Sequence, residues 1–231
     1  MKKIGFTLAE VLITLAIIGV VASMTLPSLM TNVGEQQYRA GIKKGVNTLT
    51  EAAKLNDGDE GWDYGFIVAD SNVNQLSAAN RAATEARSLM SLLNNRTSID
   101  YKTTGTNANT GLITGTTAYD GFAVVLQDGS SILFPATAGN SNAARILLQD
   151  GLPTGFVVLY DTNGAKGPNF LSNCLGNPVL TPTFTENGAD TATLTDCNDR
   201  TKRIIRDQFM LKLRGQMVEP AGGAAEWALN N

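Results

Sequence analysis

Near its N-terminus the chain reads Gly5-Phe6-Thr7-Leu8-Ala9-Glu10-Val11-Leu12-Ile13, and this stretch opens a long apolar segment. No residue from Val11 to Gly34 is charged. About 20 apolar residues in a helix span the hydrocarbon core of a bilayer, so the segment is long enough to cross a membrane. Lys2 and Lys3 precede it, and positive charge keeps the adjacent end of a membrane helix in the cytoplasm. The sequence therefore predicts a segment that can cross the cytoplasmic membrane once, with the C-terminal body of the chain outside the cytoplasm.

Two ordinary functions fit such a segment. One is a removable secretory signal that is cut after Val20-Val21-Ala22, and the other is a permanent membrane anchor. Neither function needs the carboxylate of Glu10 at the head of the apolar run. A lone acidic residue at the centre of a membrane helix costs about 2.5–3.5 kcal/mol on insertion scales, and less near the interface. Glu10 is therefore a candidate functional residue.

A third interpretation accounts for Glu10, because the stretch from Gly5 to Ile13 resembles the prepilin signal of type IV pilins and type II secretion pseudopilins. In that family the leader is cut after a glycine, and the new N-terminal phenylalanine is methylated on its amino group. The resemblance implies that Gly5 ends the leader, that Phe6 is the N-methylated first mature residue and that Glu10 is the family's glutamate. It also implies that Gly19 and Pro27 loosen the helix, as glycine and proline do at such places in many pilins.

The charges around the implied cleavage point suggest a role for Glu10 in assembly. Cleavage after Gly5 removes both lysines and creates an amine at Phe6, about one helical turn from Glu10. In a bundle of such helices, Glu10 of one subunit can meet the Phe6 amine of a neighbour, so that each buried charge is paired. A wrong axial register leaves both charges unpaired. The sequence thus predicts that Glu10 sets the assembly register.

The resemblance also implies the partners and the location of the protein. The partners are copies of this chain or related pilins, a prepilin peptidase that also methylates, an assembly ATPase and a membrane platform protein. The chain is then the substrate of the peptidase and not itself an enzyme. From the cytoplasmic membrane it passes into an extracellular or periplasmic filament.

Beyond the membrane segment the apolar residues keep a helical period. Those on or near one face are Val33, Tyr38, Ile42, Val46, Leu49 and Ala53. Asn56-Asp57-Gly58 predicts that the helix ends near Leu55, and Pro27 predicts a kink or local melting. The predicted organisation is a leader at 1–5, a long N-terminal helix at 6–55 with its membrane and assembly half at 6–30, and a globular head at 56–231.

The sequence of the head predicts a helix and a loop, followed by antiparallel strands. Asp128-Gly129 between two β-prone runs predicts a hairpin within Gly121–Phe134. The other predicted elements are a helix over Val73–Leu93, a loop over Thr103–Thr117, a short helix over Ala143–Leu148, and strands over Gly155–Tyr160 and Asp207–Arg214. The predicted fold is α+β and pilin-like, with the long N-terminal helix packed on a small antiparallel β-sheet.

Cys174 and Cys197 are the two cysteines of the chain. Thiols in a body outside the cytoplasm pair readily, so we expect a disulfide; the alternative is two unpaired thiols. Closing this loop is worth roughly 3–4 kcal/mol in the chain-entropy model. The resemblance supports the pairing, because pilins commonly close a C-terminal loop in this way, and it makes the disulfide loop 174–197 part of the head.

A cation site is a weaker prediction. Asp161, Asn163 and Gly164 could begin a calcium loop, since hard cations bind carboxylate and carbonyl oxygens. The EF-hand pattern fails, however, because Ser172 stands where the closing glutamate belongs. Asx residues also stabilise turns without a metal. We therefore expect no cofactor, with calcium as the alternative.

Composition disfavours several other functions. The chain has no histidine, which excludes a Ser-His-Asp or Cys-His catalytic site and most zinc sites. A formal net charge of −3 gives no broad basic surface for nucleic acid, although the run Arg200–Arg206 is locally basic. The predicted function is a structural filament subunit. The alternative is a secreted or membrane-anchored binding protein that forms no filament.

Overall fold

The computed structural model describes residues 5–61, 63–64, 93, 99–103, 122–133, 146–147, 155–164, 166–177 and 192–231. Residues 1–37 and 38–231 form two compact units. The described elements are α1 (Leu8–Glu60), β1 (Ile99–Thr103), β2 (Phe122–Leu126), β3 (Ser131–Leu133), β4 (Ile146–Leu147), β5 (Gly155–Asp161), α2 (Leu194–Cys197), β6 (Gln208–Arg214), β7 (Met217–Pro220) and α3 (Gly223–Asn230).

The strands form one antiparallel sheet in the order β1-β2-β3-β5-β6-β7. The short strand β4 pairs with β5 beside β3, with Ile146 opposite Val157. At the centre of the sheet β5 and β6 pair along their whole length, from Gly155 opposite Arg214 to Asp161 opposite Gln208. A long helix with an antiparallel sheet confirms the predicted α+β class.

One hydrophobic core joins the packed part of α1 to the sheet. Ile42, Leu49 and Ala53 of α1 are fully buried, and Tyr38 and Val46 pack at the edge of the same cluster. The sheet and the C-terminal helix contribute large side chains to this core: Val158, Tyr160, Phe209, Leu211, Leu213 and Trp227. The predicted helical face is therefore confirmed from Tyr38 onward. Val33, by contrast, is 47% exposed.

Several local predictions are confirmed. The Asp128-Gly129 hairpin forms between β2 and β3, where the Gly129 amide donates to the Leu126 carbonyl at 3.0 Å and Gly129 has φ 87°. A positive φ at this position suits glycine, which has no Cβ to clash. The strands predicted over Gly155–Tyr160 and Asp207–Arg214 correspond to β5 and β6.

Two local predictions are wrong. A short helix was predicted over Ala143–Leu148, but Ile146 and Leu147 form strand β4 there and pair with β5. In a short apolar run, pairing with a neighbouring strand can outweigh a helical sequence pattern. The end of α1 lies at Glu60 and not near Leu55. Asn56 is completely buried, so this part of the predicted stop signal lies within the packed helix. The predicted helix over Val73–Leu93 and the loop over Thr103–Thr117 lie almost entirely outside the described residues.

Two glycines let α1 closely approach strand β5 and Thr162, the residue that follows this strand. Gly41 and Gly45 are one helical turn apart, so they lie on the same face of the helix. A Cβ on Gly41 would lie 2.7 Å from the Cβ of Thr162, and a Cβ on Gly45 would overlap the phenol ring of Tyr160. Both contacts are too short for an alanine without movement of the helix or the strand.

We expect Gly45→Ala to lower the free energy of unfolding by about 1–3 kcal/mol, because overpacking a fixed contact shifts backbone and side chains. Gly58→Ala is the matched control, since a Cβ at Gly58 meets no atom within 4 Å. Alanine in an unhindered helical position gains about 0.5–1 kcal/mol over glycine. Denaturant unfolding of the full chain in detergent measures both variants. Equal stabilisation by the two substitutions would mean that α1 does not rest on Tyr160.

Candidate functional site: the start of the N-terminal helix

The predicted cleavage point lies in exposed, non-helical backbone. Gly5, Phe6 and Thr7 precede α1, and the side chain of Phe6 is 90% exposed. A Cβ added to Gly5 would meet no atom within 4 Å. The Gly5–Phe6 peptide bond is therefore accessible to a protease without unfolding of the helix.

Glu10 and Thr7 form a capping box at the first turn of α1. The backbone amide and the hydroxyl of Thr7 both donate to Oε2 of Glu10, each at 2.8 Å. In return the Thr7 hydroxyl accepts a hydrogen bond from the Glu10 amide at 3.2 Å. These bonds satisfy amides that the first turn of a helix leaves without a backbone partner.

Sequence analysis missed Thr7 as a partner of Glu10. The signal for it was present, because Ser or Thr followed three residues later by Glu is the usual pattern of a capping box. The carboxylate of Glu10 is thus held at the start of its own helix by Thr7, the residue that follows Phe6.

The surface of α1 after the capping box is apolar and exposed. The segment Leu8–Pro27 has a mean hydropathy of 2.2, and none of it is buried within the chain. Its length and composition suffice to cross a membrane, and Glu10 is its one charged residue. Soluble chains rarely leave a contiguous apolar surface of this kind uncovered.

Gly19 and Pro27 both lie inside α1, which is continuous through them. Local melting at Pro27 is therefore not found in the described chain. A proline removes only one backbone hydrogen bond from a helix, and the hydrogen bonds of the neighbouring turns can keep the helix intact. A Cβ at Gly19 would meet no atom within 4 Å, so no contact within the chain requires glycine there. That these two residues loosen the helix on assembly stays a prediction.

Cys174 and Cys197 are joined by a disulfide, with their Cα atoms 5.1 Å apart. Both residues are buried in the head core. Next to the bridge, Asn173 and Ile204 exchange two backbone hydrogen bonds of 2.9 and 2.8 Å, and the Gly176 amide donates to the Lys202 carbonyl. The disulfide therefore lies beside a backbone bridge that holds residues 173–176 against residues 202–204.

The calcium candidates Asp161 and Asn163 form a hydrogen-bonded turn. Oδ1 of Asp161 accepts from the amides of Asn163 and Gly164 at 3.0 and 2.8 Å, and Oδ2 accepts from Nε2 of Gln208 at 2.8 Å. Burial, together with the nearby Asp207 charge, raises the pKa of Asp161 to about 7. Protein groups thus occupy both carboxylate oxygens, and calcium binding stays a prediction.

Asp207 holds the other end of the same loop. Its carboxylate accepts from the amides of Asn169 and Phe170 at 2.7 and 2.9 Å, and burial raises its pKa. Among the described residues, no group of three or more His, Cys, Asp or Glu side chains could hold a metal ion. Sequence analysis missed Asp207, because its partners lie more than 35 residues away and no local pattern marks them.

Comparison with known families identifies the N-terminal segment. Comparisons with curated proteins and with solved structures gave no significant match. Residues 1–26, which include the exposed Gly5–Phe6 bond and the capping box, match the family model described as the prokaryotic N-terminal methylation motif. The chain therefore carries at its N-terminus the prepilin-type signature of type IV pilins and pseudopilins.

Proposed function

We propose that this chain is a structural subunit of a type IV pilus-like or type II secretion pseudopilus filament. The observation that carries the proposal is the methylation motif at residues 1–26, on a helix whose apolar segment Leu8–Pro27 has no buried part. Such a helix needs an apolar environment. The membrane supplies it for the precursor, and the N-terminal helices of neighbouring subunits supply it in the filament.

Processing precedes assembly in this proposal. A prepilin peptidase cuts between Gly5 and Phe6 and methylates the Phe6 amine. The exposed, non-helical backbone at residues 5–7 supports this step, because a protease binds its substrate in an extended form. Removal of the leader takes away Lys2 and Lys3, so the positive charge that holds the N-terminus in the cytoplasm is lost.

The location and partners follow from the same steps. The precursor spans the cytoplasmic membrane once, with the head at residues 56–231 outside the cytoplasm. An assembly ATPase and a platform membrane protein then move the mature chain into an extracellular or periplasmic filament of pilin copies. The peptidase carries out the chemistry, and this chain acts as its substrate and as a structural part.

Within the filament, Glu10 pairs with the Phe6 amine of a neighbouring subunit. The capping box supports this role, because it holds the carboxylate at the first turn, next to the end at which the amine forms. A misplaced subunit would bury both charges without partners, which is costly in an apolar surrounding.

Intact mass and N-terminal sequence of the protein from its native host test the processing step. We expect a chain that begins at N-methylated Phe6. A Gly5→Val variant should keep its leader, because the cut follows the glycine in this family, and Gly5 has no neighbour whose displacement would disturb the fold. Gly19→Val is the control and should be processed normally. A wild-type chain that begins at Ser23 or at Met1 would contradict the proposal.

A further inference from the structure

Two guanidinium groups lie over the ring of Trp227 in the C-terminal helix α3. Cζ of Arg203 is 3.8 Å from the ring centroid, and Cζ of Arg39 is 5.0 Å from it. Trp227 is only 7% exposed, so these cation–π contacts are largely shielded from water. We refer to Arg39, Trp227 and Arg203 as the Arg–Trp–Arg cluster.

The cluster connects three parts of the compact unit 38–231 that are distant in sequence. Arg39 belongs to α1, Trp227 to α3, and Arg203 to the segment that follows the disulfide-bonded Cys197. Nη1 of Arg203 also donates to the carbonyl oxygen of Cys197 at 3.1 Å. The side chain of Arg203 therefore contacts both the disulfide-bonded Cys197 and Trp227, the ring that Arg39 of α1 also contacts.

Close backbone packing strengthens this connection. A Cβ added to Gly223, the first residue of α3, would lie 2.7 Å from the carbonyl oxygens of Ala192 and Thr193. The start of α3 thus lies directly against the residues that lead into α2 and Cys197. Movement of residues 192–197 after loss of the disulfide would disturb α3 directly at Gly223. It would also disturb α3 at Trp227, because the Cys197 carbonyl holds the Arg203 side chain that lies over this ring.

We propose that Arg203 and Trp227 are positioning residues that couple the Cys174–Cys197 disulfide to the docking of Arg39 of α1 on the head. With the disulfide formed, Arg203 is held over Trp227, and the Trp227 ring in turn holds Arg39. With the two thiols reduced, Cys197 loses this constraint, while the backbone bridge still holds residues 202–204. The Cys197 carbonyl then no longer fixes the Arg203 side chain over Trp227, and Arg39 is released. The inference concerns the compact unit 38–231 alone and does not depend on the filament role.

The oxidation itself is a thiol–disulfide exchange with a protein or small molecule that contains a disulfide. A thiolate of one cysteine attacks the oxidant's sulfur and forms a mixed disulfide, which the second cysteine then resolves. Two S–H bonds of the chain are replaced by one S–S bond, and the oxidant takes up two electrons and two protons as it becomes a dithiol. Such oxidants act outside the cytoplasm, on the side where we place the head.

Trypsin cleavage of the full chain in detergent tests the coupling, because trypsin must bind the side chain of the arginine or lysine after which it cuts. Arg39 lying over Trp227 is unavailable to it. A desolvated cation–π contact changes an equilibrium by about 5- to 30-fold. We expect reduction with a small dithiol to speed cleavage after Arg39 by about that factor, with a smaller change after Lys54 of the same helix.

Variants separate the coupling from general loosening of the head. Arg203→Gln should speed cleavage after Arg39 in the oxidised protein, Arg203→Lys should restore protection because it keeps the cation, and reduction should add little to Arg203→Gln. Arg200→Gln, at an exposed residue of the same segment, is the control and should have no effect. Equal cleavage after Arg39 in oxidised and reduced protein, additive effects of Arg203→Gln and reduction, or an equal increase after Lys54 would each overturn the proposal.

Discussion

A Glu10→Ala variant should be exported and cleaved after Gly5, yet form few or no filaments. Cleavage depends on the exposed, non-helical backbone around Phe6. The substitution removes the hydrogen bonds from Thr7 to Glu10, and this loss leaves the Gly5–Phe6 bond exposed. Assembly depends on the charge of Glu10, because in our proposal that carboxylate is the partner of the neighbour's Phe6 amine. Without it, each added subunit would bury an unpaired amine, and breaking one side of a buried ion pair costs about 3–5 kcal/mol. The measurements are the filament yield and the intact mass of the protein that remains in the membrane. The mass shows whether the leader has been removed.

The capping box allows the charge of Glu10 to be separated from its role at the helix start. Glu10→Gln keeps an oxygen that can accept the hydrogen bonds from Thr7 but removes the charge, so we expect it to lose filaments as Glu10→Ala does. Thr7→Ala keeps the charge and removes the hydroxyl of the cap, a change worth about 1 kcal/mol of helix stability. We expect this variant to assemble, with a reduced yield.

The outcomes distinguish the possible roles of Glu10. Normal filament yield from Glu10→Gln would show that the negative charge does not set the register. Loss of filaments from Thr7→Ala alone would assign the effect to the helix cap. If the wild-type protein itself forms no filament in its native host although it is cleaved at Phe6, the proposed function is wrong and the role of Glu10 is not addressed.

Local sequence patterns predicted the elements whose structure depends on local chemistry. The period of the apolar residues identified α1, and Asp128-Gly129 identified the hairpin between β2 and β3, because the turn type follows from the residues in the turn. The disulfide pairing was simple because the chain has two cysteines. The prepilin signature is likewise a short contiguous stretch, which the sequence displays directly.

The features that were not predicted depend on contacts between residues that lie far apart in the sequence. Strand β4 is two residues long and owes its conformation to β5, so its own sequence carries little signal. The contacts of Asp207 with Asn169 and Phe170 cross a large sequence separation, and so do those of Trp227 with both arginines. Such contacts depend on how the sheet and helices pack.

Asp161→Asn should change the pH dependence of the free energy of unfolding between about pH 4 and 8. Burial raises the pKa of Asp161 from 3.8 to about 7 in the folded chain. Between these two pH values the unfolded chain is ionised at this residue and the folded chain is protonated, so the folded chain binds more protons. The contribution of Asp161 to the free energy of unfolding therefore falls as pH rises through this window, and is constant above it.

The asparagine variant lacks this titration. Its free energy of unfolding should thus increase relative to the wild type as pH rises from about 4 to 8. One pKa unit corresponds to 1.36 kcal/mol, so the shift sets an upper value of about 4 kcal/mol for the change. The side-chain oxygen of asparagine can still accept from the amides of Asn163 and Gly164, and the amide of Gln208 can rotate to present its oxygen to the new NH₂ group.

An exposed carboxylate with the opposite shift is the control. Hydrogen bonds from Thr201 lower the pKa of Asp199, so its contribution to stability is lost as pH falls and not as pH rises. Asp199→Asn should therefore leave the decline between pH 4 and 7 in place. Denaturant unfolding of the full chain in detergent, repeated at several pH values, gives the change of the free energy of unfolding with pH for the wild type and both variants. If wild type and Asp161→Asn have parallel pH profiles, Asp161 is ionised at the same pH in both states, and the loop it holds is open to water.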